Sequence, residues 1–380
     1  MIKGQYINFD EYIRQGEPTK REAAYAWSTA IGLQAVDGLK TSEYLQETAR
    51  QNIEGRITID EARELIKTYY QSKTVRATDD DDMEEADRVS ANIVKVLSQP
   101  TFAFNANGYI SVHRRVFESV FKHAGQLRTY DITKKEWVLR GDTVNYLNWE
   151  DIRRAIDYDI NQEKEFDHTK LSLEEFVKHI CQFVSGLWQI HAFGEGNTRT
   201  TAVFTIQYLR SLGFNVSNDL FAKHSWYFRN ALVRANYSNY QQKILRDTSF
   251  LEKFFRNLLM GEHNDLKNRY MVINPPEEWK EATLPDKSPD KSPDKLPGKL
   301  EVENEYVEKL IHMIGRDKMS VKEMLSRAGL KDRESFMNLY VTPAINQGYV
   351  RLFYPDKPRH PRQRYLLTVK GMLIFNKSHE

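Results

Sequence analysis

Apolar residues recur at intervals of three and four along much of the chain, which is the spacing of one face of a helix. The segment 172–190 lines up a wide apolar face formed by Leu173, Phe176, Val177, Ile180, Phe183, Val184 and Leu187. A face of this width predicts a buried core helix, with Cys181 packed within or beside that core. In the segment 21–38 the same spacing places Ala24, Trp27, Ala30, Ile31 and Ala35 on one face, and the pattern stops at Gly38.

Helix boundaries are also visible in the sequence. Two helices begin with a capping box, in which a Ser or Thr is followed three residues later by Glu: Thr58 with Glu61 before 58–71, and Ser172 with Glu175 before 172–190. The next helix is predicted over 197–214, ended by Gly213. Between residues 128 and 146, alternating polar and apolar residues with turn residues predict a short β-hairpin. The fold class is therefore mainly α.

Residues 301–380 predict three helices followed by a second hairpin around a basic loop. This order resembles a winged helix-turn-helix. Arg359, Arg362 and Arg364 would lie on or beside the wing, where they could meet the phosphate backbone of DNA. Winged helices also serve as protein-docking modules, so both DNA and a protein remain candidate partners of this domain.

Two stretches divide the chain. The four-residue repeat in 284–300 carries a proline in each unit, which favours an extended, solvated linker. The acidic run 78–85 lacks apolar residues except for one methionine and predicts a softer, solvated boundary. We therefore expect an N-terminal helical segment (1–75), a central body (84–262), a linker (273–300) and a C-terminal domain (301–380).

Composition narrows the class of protein. Of 380 residues 40% are hydrophobic, enough for real cores, and the net charge of +2 says nothing about partners. The single cysteine excludes an internal disulfide and fits a reducing compartment. There is no apolar leader and no stretch of membrane-spanning length. We expect a cytoplasmic protein without a membrane partner.

The most informative stretch is HAFGEGNTRT, residues 191–200, which lies between two predicted helices. Gly194 and Gly196 would let the backbone approach a ligand closely, and the N-terminus of the following helix favours an anion. Arg199 adds a forked cation suited to phosphate oxygens. Glu195 is explicable in such a place if Mg²⁺ bridges it to the phosphates, and His191 could take a proton from an attacking hydroxyl. The residues indicate phosphoryl or nucleotidyl transfer.

This stretch resembles the signature of the Fic family, H-x-F-x-[DE]-G-N-G-R-x-x-R, at His191, Phe193, Glu195, Gly196, Asn197 and Arg199. The segment 113–132 is similar to the family's region before the target-binding flap, which would be the hairpin around 131–146. The resemblance covers residues 84–262 and implies a helical Fic core with a β-hairpin flap. It implies an adenylyltransferase that moves AMP from ATP to a hydroxyl of a target protein docked on the flap, and to itself.

The resemblance also implies residue roles. His191 would be the general base, Phe193 a buried anchor for the loop, and Glu195 the Mg²⁺ ligand. The phosphates would be held by Gly194, Gly196, Asn197, Thr198 and Arg199. Whether the protein works as a monomer or a homodimer stays open.

Two positions depart from the signature. Thr198 replaces the second glycine, and Ala202 stands where the last arginine would contact the nucleotide's terminal phosphate. The alternatives are therefore a transferase that uses another donor (UTP, GTP or a CDP-alcohol) and a nucleotide-sensing regulator that binds DNA.

The N-terminal segment resembles a fused antitoxin that inhibits many Fic proteins through a [ST]-x-x-x-E-G helix. In one alignment Asp37 takes the place of the inhibitory glutamate and Leu33 that of Ser/Thr. In the other, Glu54 has the inhibitory role and Arg50 stands at the Ser/Thr position. We favour Asp37, because the flanking segments then match without a gap.

Overall fold

The computed structural model describes residues 9–73, 77, 79–99, 101–216, 220–276 and 302–378. The fold is mainly helical, as predicted, and the part of the chain that the structure describes has a single two-stranded antiparallel sheet. The proline repeat lies outside the described residues. Among the described helices, none combines the length and apolar character needed to cross a membrane.

The N-terminal segment is a small helical layer on the central body. Its helices are α1 (Asp10–Gln15), α2 (Pro18–Gly32), α3 (Glu43–Ile53) and α4 (Ile59–Ser72), with a 3-10 turn over Leu33–Asp37. The predicted capping box of Thr58 and Glu61 opens α4. The apolar face of α2 is buried through Trp27 and Ala30, and Gly32 lies so close to Ala222 that a Cβ would fall 2.3 Å from that residue's Cα. This segment therefore shares one core with the central body.

The central body consists of α5 (Asp80–Leu97), α6 (Ala106–Val116), α7 (Ile152–Glu165), α8 (Leu173–Ile190), α9 (Asn197–Ser211), α10 (Leu220–Asn236) and α11 (Ser249–Met260). The capping box of Ser172 and Glu175 opens α8, and Cys181 is fully buried, both as predicted. Helix α9 is buried along almost its whole length, because α5, α6 and α8 pack around it.

The C-terminal domain contains α12 (Glu305–Ile314), α13 (Val321–Ala328), α14 (Arg333–Phe336), a π-turn (Met337–Val341) and α15 (Thr342–Asn346). Strands β1 (Val350–Leu352) and β2 (Tyr365–Leu367) form the predicted hairpin. A last helix, α16 (Val369–Lys377), was not predicted. Thr368 caps this helix by accepting a hydrogen bond from the Gly371 N–H at 3.1 Å.

Two other predictions need correction. The acidic run is not a solvated linker, since α5 begins at Asp80, whose buried carboxylate pairs with Lys73 at 2.6 Å. Acidic residues in a first turn are favoured by the helix dipole, so the run is a helix start.

The flap at 131–146 has no strand and folds around a 3-10 turn, Trp137–Leu139. Its arms have few backbone bonds across them, and side chains hold them instead.

Candidate functional site

The site forms where α8 ends and α9 begins. His191 is the C-cap of α8 and has a left-handed backbone (φ 49°, ψ 56°), which turns the chain sharply. A non-glycine residue with positive φ carries strain that often accompanies function. The turn directs the chain from the end of α8 into the loop before α9.

The imidazole of His191 is buried, and neither ring nitrogen has a hydrogen-bond partner among the described residues. The ring packs against Tyr146 and Trp188, with centroid distances of 4.1 Å and 5.4 Å. Burial lowers the pKa of His191 well below its ordinary value, and the charges of Lys134 and Arg128 lower it further. The ring is therefore neutral at neutral pH, the form that can accept a proton.

Arg128 fixes the end of α8. Its buried guanidinium donates from Nε to the His191 carbonyl at 2.7 Å and from Nη1 to the Tyr130 carbonyl at 2.6 Å. A further bond from Nη2 reaches the carbonyl of Leu147. These carbonyls belong to the helix end and to both sides of the flap, so one cation holds the base and the flap together. Arg128 was visible in the sequence only as part of the 113–132 similarity.

Phe193, two residues after His191, packs into the core. Its buried ring stacks on His113 with a centroid distance of 3.7 Å. The Nδ1 atom of His113 accepts a hydrogen bond from the Gly125 N–H at 2.8 Å, so the neutral ring carries its proton on Nε2, which lies 3.1 Å from the Glu195 carbonyl. The role of Phe193 as an anchor for the loop stays a prediction.

Asn197 and Thr198 use their side chains to shape the loop. The Asn197 amide accepts from the Phe193 N–H at 2.9 Å and donates to the Phe193 carbonyl at 2.7 Å. The Thr198 hydroxyl accepts from the Trp188 indole N–H at 2.9 Å. Because these side chains are engaged, the main-chain N–H groups are the donors that remain for a phosphate. Those of Asn197, Thr198 and Arg199 have no acceptor within the described parts of the chain.

The two glycines lie under close neighbours. At Gly196 φ is +73°, and a Cβ would fall 2.2 Å from the Phe117 ring, so only glycine fits. At Gly194 a Cβ would fall 2.8 Å from the hydroxyl of the exposed Tyr130. Glu195, between the two, is exposed, and its carboxylate has no hydrogen bond or ion pair with any residue that the structure describes.

The side chain of Arg199 is buried and already paired with other residues of the chain. Its side chain is 1% exposed, and all three nitrogens of the guanidinium face acceptors. Nη1 donates to Gln34 Oε1 at 3.0 Å, and Nη2 donates to Glu85 Oε1 at 2.8 Å. Nε lies 2.8 Å from Asp37 Oδ2, an ion pair without hydrogen-bond geometry. Two of these three partners belong to the N-terminal segment.

The two candidate inhibitory acids are therefore in different places. Asp37 contacts the signature arginine, whereas Glu54 accepts from the Tyr12 hydroxyl at 2.5 Å and pairs with Arg56 at 2.7 Å. The sequence pattern does not single out Glu85, because this residue lies in the acidic run that predicts a solvated boundary. Ala202 is fully buried in α9.

The three wing arginines lie apart from this loop, on the C-terminal hairpin. Arg359 and Arg362 are exposed and have no side-chain partner among the described residues. Arg364 donates to the Lys318 carbonyl at 2.8 Å and lies 3.3 Å from a Glu323 carboxylate oxygen. Two of the three are therefore free to meet another molecule.

Comparison with known proteins agrees with this architecture. Residues 103–209 match the Fic/DOC family, and residues 305–368 match the family described as "Filamentation induced by cAMP protein Fic-like, C-terminal domain". The crystal structure of a Fic family protein from Desulfovibrio desulfuricans G20 is 16% identical, with a TM-score of 0.42 over 94% of this chain and 89% of that one. No protein of curated function matches the chain.

The match of residues 103–209 to the Fic/DOC family suggests the transfer of a nucleotide or phosphate group to a target. The chain carries a Fic/DOC family domain over residues 103–209 and a Fic-like C-terminal domain over residues 305–368.

Proposed function

We propose that this protein transfers AMP from ATP to a hydroxyl side chain of a target protein, and to itself, in a Mg²⁺-dependent reaction. The observation that carries the proposal is His191, a buried neutral imidazole whose two nitrogens have no partner among the described residues. A satisfied structural histidine would have one. A ring kept neutral beside an anion-binding helix end suits a general base.

The residues of the loop have separate roles in this reaction. His191 takes the proton of the target hydroxyl, whose oxygen then attacks the α-phosphate of ATP while pyrophosphate leaves with the electrons of the broken P–O bond. The free N–H groups of Asn197, Thr198 and Arg199, at the positive end of α9, are suited to the phosphate oxygens.

Glu195 fits the metal that this reaction needs. Its exposed carboxylate is uncommitted within the described chain, and Mg²⁺ is commonly held by one or two carboxylates together with substrate phosphates. Bound there, the ion would neutralise developing charge on the phosphates. A target would dock along the flap, where the arms of 131–146 have main-chain groups available for an extended peptide.

We further propose that the N-terminal segment inhibits the site through Arg199. Asp37 and Glu85 neutralise the guanidinium, and Gln34 occupies its remaining edge. Arg199 thus commits one N–H to Gln34 and one to Glu85, and Asp37 lies against Nε, so its charge is already paired within the protein instead of with a nucleotide phosphate. Release of the Asp37 contact would return a forked cation to the site.

The decisive experiment incubates purified protein with Mg²⁺ and, separately, labelled ATP, UTP, GTP and a CDP-alcohol. We use the Asp37→Asn variant to relieve inhibition and His191→Ala as the blank. Label from ATP alone supports AMP transfer. Label from another nucleotide would instead identify that nucleotide as the donor. No label from any donor, together with sequence-selective DNA binding, would favour the regulator.

A second candidate function is DNA binding by the C-terminal domain. The observation in its favour is the pair of exposed, uncommitted arginines Arg359 and Arg362 beside a two-stranded hairpin. Such cations can meet phosphates, although they carry no sequence information by themselves. A steep loss of binding to random duplex DNA as salt rises would support phosphate contact. No binding even at low salt would favour target docking, and a homodimer on two half-sites would give tighter binding.

A further inference from the structure

A second cluster of chemically active side chains lies at the other end of α8. Glu163 near the end of α7, His168 in the 3-10 turn His168–Lys170, and His179 on α8 converge there. Their nearest nitrogen and oxygen atoms all lie within 4.8 Å of one another. His179 precedes His191 by twelve residues, which is roughly 18 Å along a helix axis, so the cluster is separate from the signature loop.

The geometry of the cluster is specific. His168 Nε2 lies 2.9 Å from Glu163 Oε1, and His179 Nε2 lies 2.6 Å from Glu163 Oε2. Both rings thus direct the same kind of nitrogen at one buried carboxylate, each at a different oxygen. From these contacts we infer that Glu163, His168 and His179 form a binding site for a divalent transition metal of the Zn²⁺ class.

The ligand set and its spacing fit that metal. Zn²⁺ takes imidazole nitrogen and carboxylate oxygen at about 2.0–2.2 Å, so tetrahedral ligand atoms lie about 3.3 Å apart. The two imidazole–carboxylate contacts would need to open by less than about 1 Å to admit the ion. Each imidazole would then present the Nε2 lone pair and carry its proton on Nδ1.

An entry path and an outer shell are present. A surface cleft of about 300 Å³ is lined by Glu163 and His179 together with Asp159 and Gln182, leaving room for a water as the fourth ligand. Asp159 lies one turn before Glu163 on α7 and also lines this cleft. Tyr208 on α9 donates its hydroxyl proton to Glu163 Oε1 at 2.5 Å, the kind of bond that orients a metal-binding carboxylate.

The site would join several elements of the fold. Its ligands come from α7, α8 and the turn between them, and its outer shell from α9. The C-terminal helix α16 also docks on that turn, because the Asn376 amide donates to the carbonyls of Thr169 at 2.9 Å and Leu171 at 3.2 Å. A metal at His168 would therefore stabilise the contact between the central body and the C-terminal domain.

The test uses the untagged full-length chain, treated with a chelator and desalted. Titration with Co²⁺, followed by visible absorption, and competition with Zn²⁺ should give one equivalent. His179→Asn and Glu163→Gln should weaken binding by more than the roughly 10- to 100-fold that loss of an outer-shell partner costs. Tyr208→Phe should weaken it by about 10-fold. Bound metal should also raise the thermal midpoint of the wild-type chain.

Two controls make the outcome specific. His179→Cys should keep Zn²⁺ binding, since thiolate is a zinc ligand, and this comparison with His179→Asn holds even if either variant is less stable. His263→Asn, at an exposed histidine elsewhere, should bind as the wild type does. Absence of a one-equivalent site in the wild type, or equal binding by His179→Asn and His179→Cys, would overturn the proposal and leave a hydrogen-bonded network.

Discussion

The signature loop (191–199) and the C-terminal hairpin (350–367) both present arginines near a turn, yet they are built in opposite ways. Arg199 is 1% exposed, with every guanidinium nitrogen facing an acceptor. His191, in the same loop, is buried, and neither of its ring nitrogens has a hydrogen-bond partner among the described residues. On the hairpin, Arg359 and Arg362 are exposed, with no partner among the described residues. The loop is therefore preorganised around a few atoms, whereas the hairpin offers charge without a fixed geometry.

This difference separates what each region can do. A buried, preorganised group acts in a low dielectric and loses little on reorganisation, so one substitution can cost orders of magnitude. Exposed cations act through screened, nearly additive contacts, so each substitution there costs little. Substitutions in the two regions should thus differ in size, and the predictions below run from the largest expected effect to the smallest.

The largest effect is expected from His191→Ala. A general base contributes about 10²–10⁴-fold, so label transfer from ATP should fall by that factor while nucleotide binding persists. Single-turnover self-modification with labelled ATP measures the loss, and circular dichroism checks the fold. Full activity in this variant would remove His191 from the mechanism, and His263→Ala serves as the matched histidine control.

Glu195→Ala should come next. The carboxylate is exposed and uncommitted within the described chain, so its loss should leave the fold unchanged and weaken nucleotide binding by about 10-fold with Mg²⁺, the ratio given by about 1.4 kcal/mol. Without Mg²⁺ the affinity should stay the same or rise slightly, since a negative charge near phosphates is removed. Calorimetric titration under both conditions decides, and equal losses with and without the ion would contradict the metal role.

Asp37→Asn should raise self-modification by about 5-fold, the ratio that corresponds to about 1 kcal/mol for a partly exposed ion pair. The Asp37 side chain is 39% exposed, which limits the strength of its pairing with Arg199. Glu85→Gln should give a rise of similar size by the same reasoning. Initial rates of label incorporation measure both effects.

The matched control for the inhibitory acids is Glu54→Gln, because Glu54 pairs with Tyr12 and Arg56 and should not alter the rate. A rise in Glu54→Gln with none in Asp37→Asn would transfer the inhibitory role to Glu54. Point variants are preferable to deletion of 1–75, since α2 buries Trp27 and Ala30 against the central body and its removal would expose that core.

The comparison also shows which features could be predicted. Helices with a capping box, such as α4 and α8, were predicted because local hydrogen bonds and apolar spacing agree there. The signature located His191. The pairing of Arg199, however, depends on Glu85, 114 residues earlier, and no local sequence pattern predicts a contact between residues so far apart. The flap alternates like a strand, yet Glu136, held by Arg229 at 2.6 Å and Tyr146 at 3.0 Å, fixes it as a loop.

The smallest effects are expected on the C-terminal hairpin. Arg359→Ala and Arg362→Ala should each lower the salt slope of DNA binding by about 0.9, because each removes at most one phosphate contact. Three such contacts would lose roughly 40-fold in affinity between 50 and 200 mM salt, so binding should be weak near physiological salt. Fluorescence anisotropy of the full chain with random duplex DNA at several salt concentrations measures the slope.

The matched control is Arg246→Ala, at an exposed arginine after α10, which should leave the salt slope unchanged. A slope that none of these substitutions alters would place the DNA contact elsewhere, and no binding at low salt would make target docking the better account of this domain.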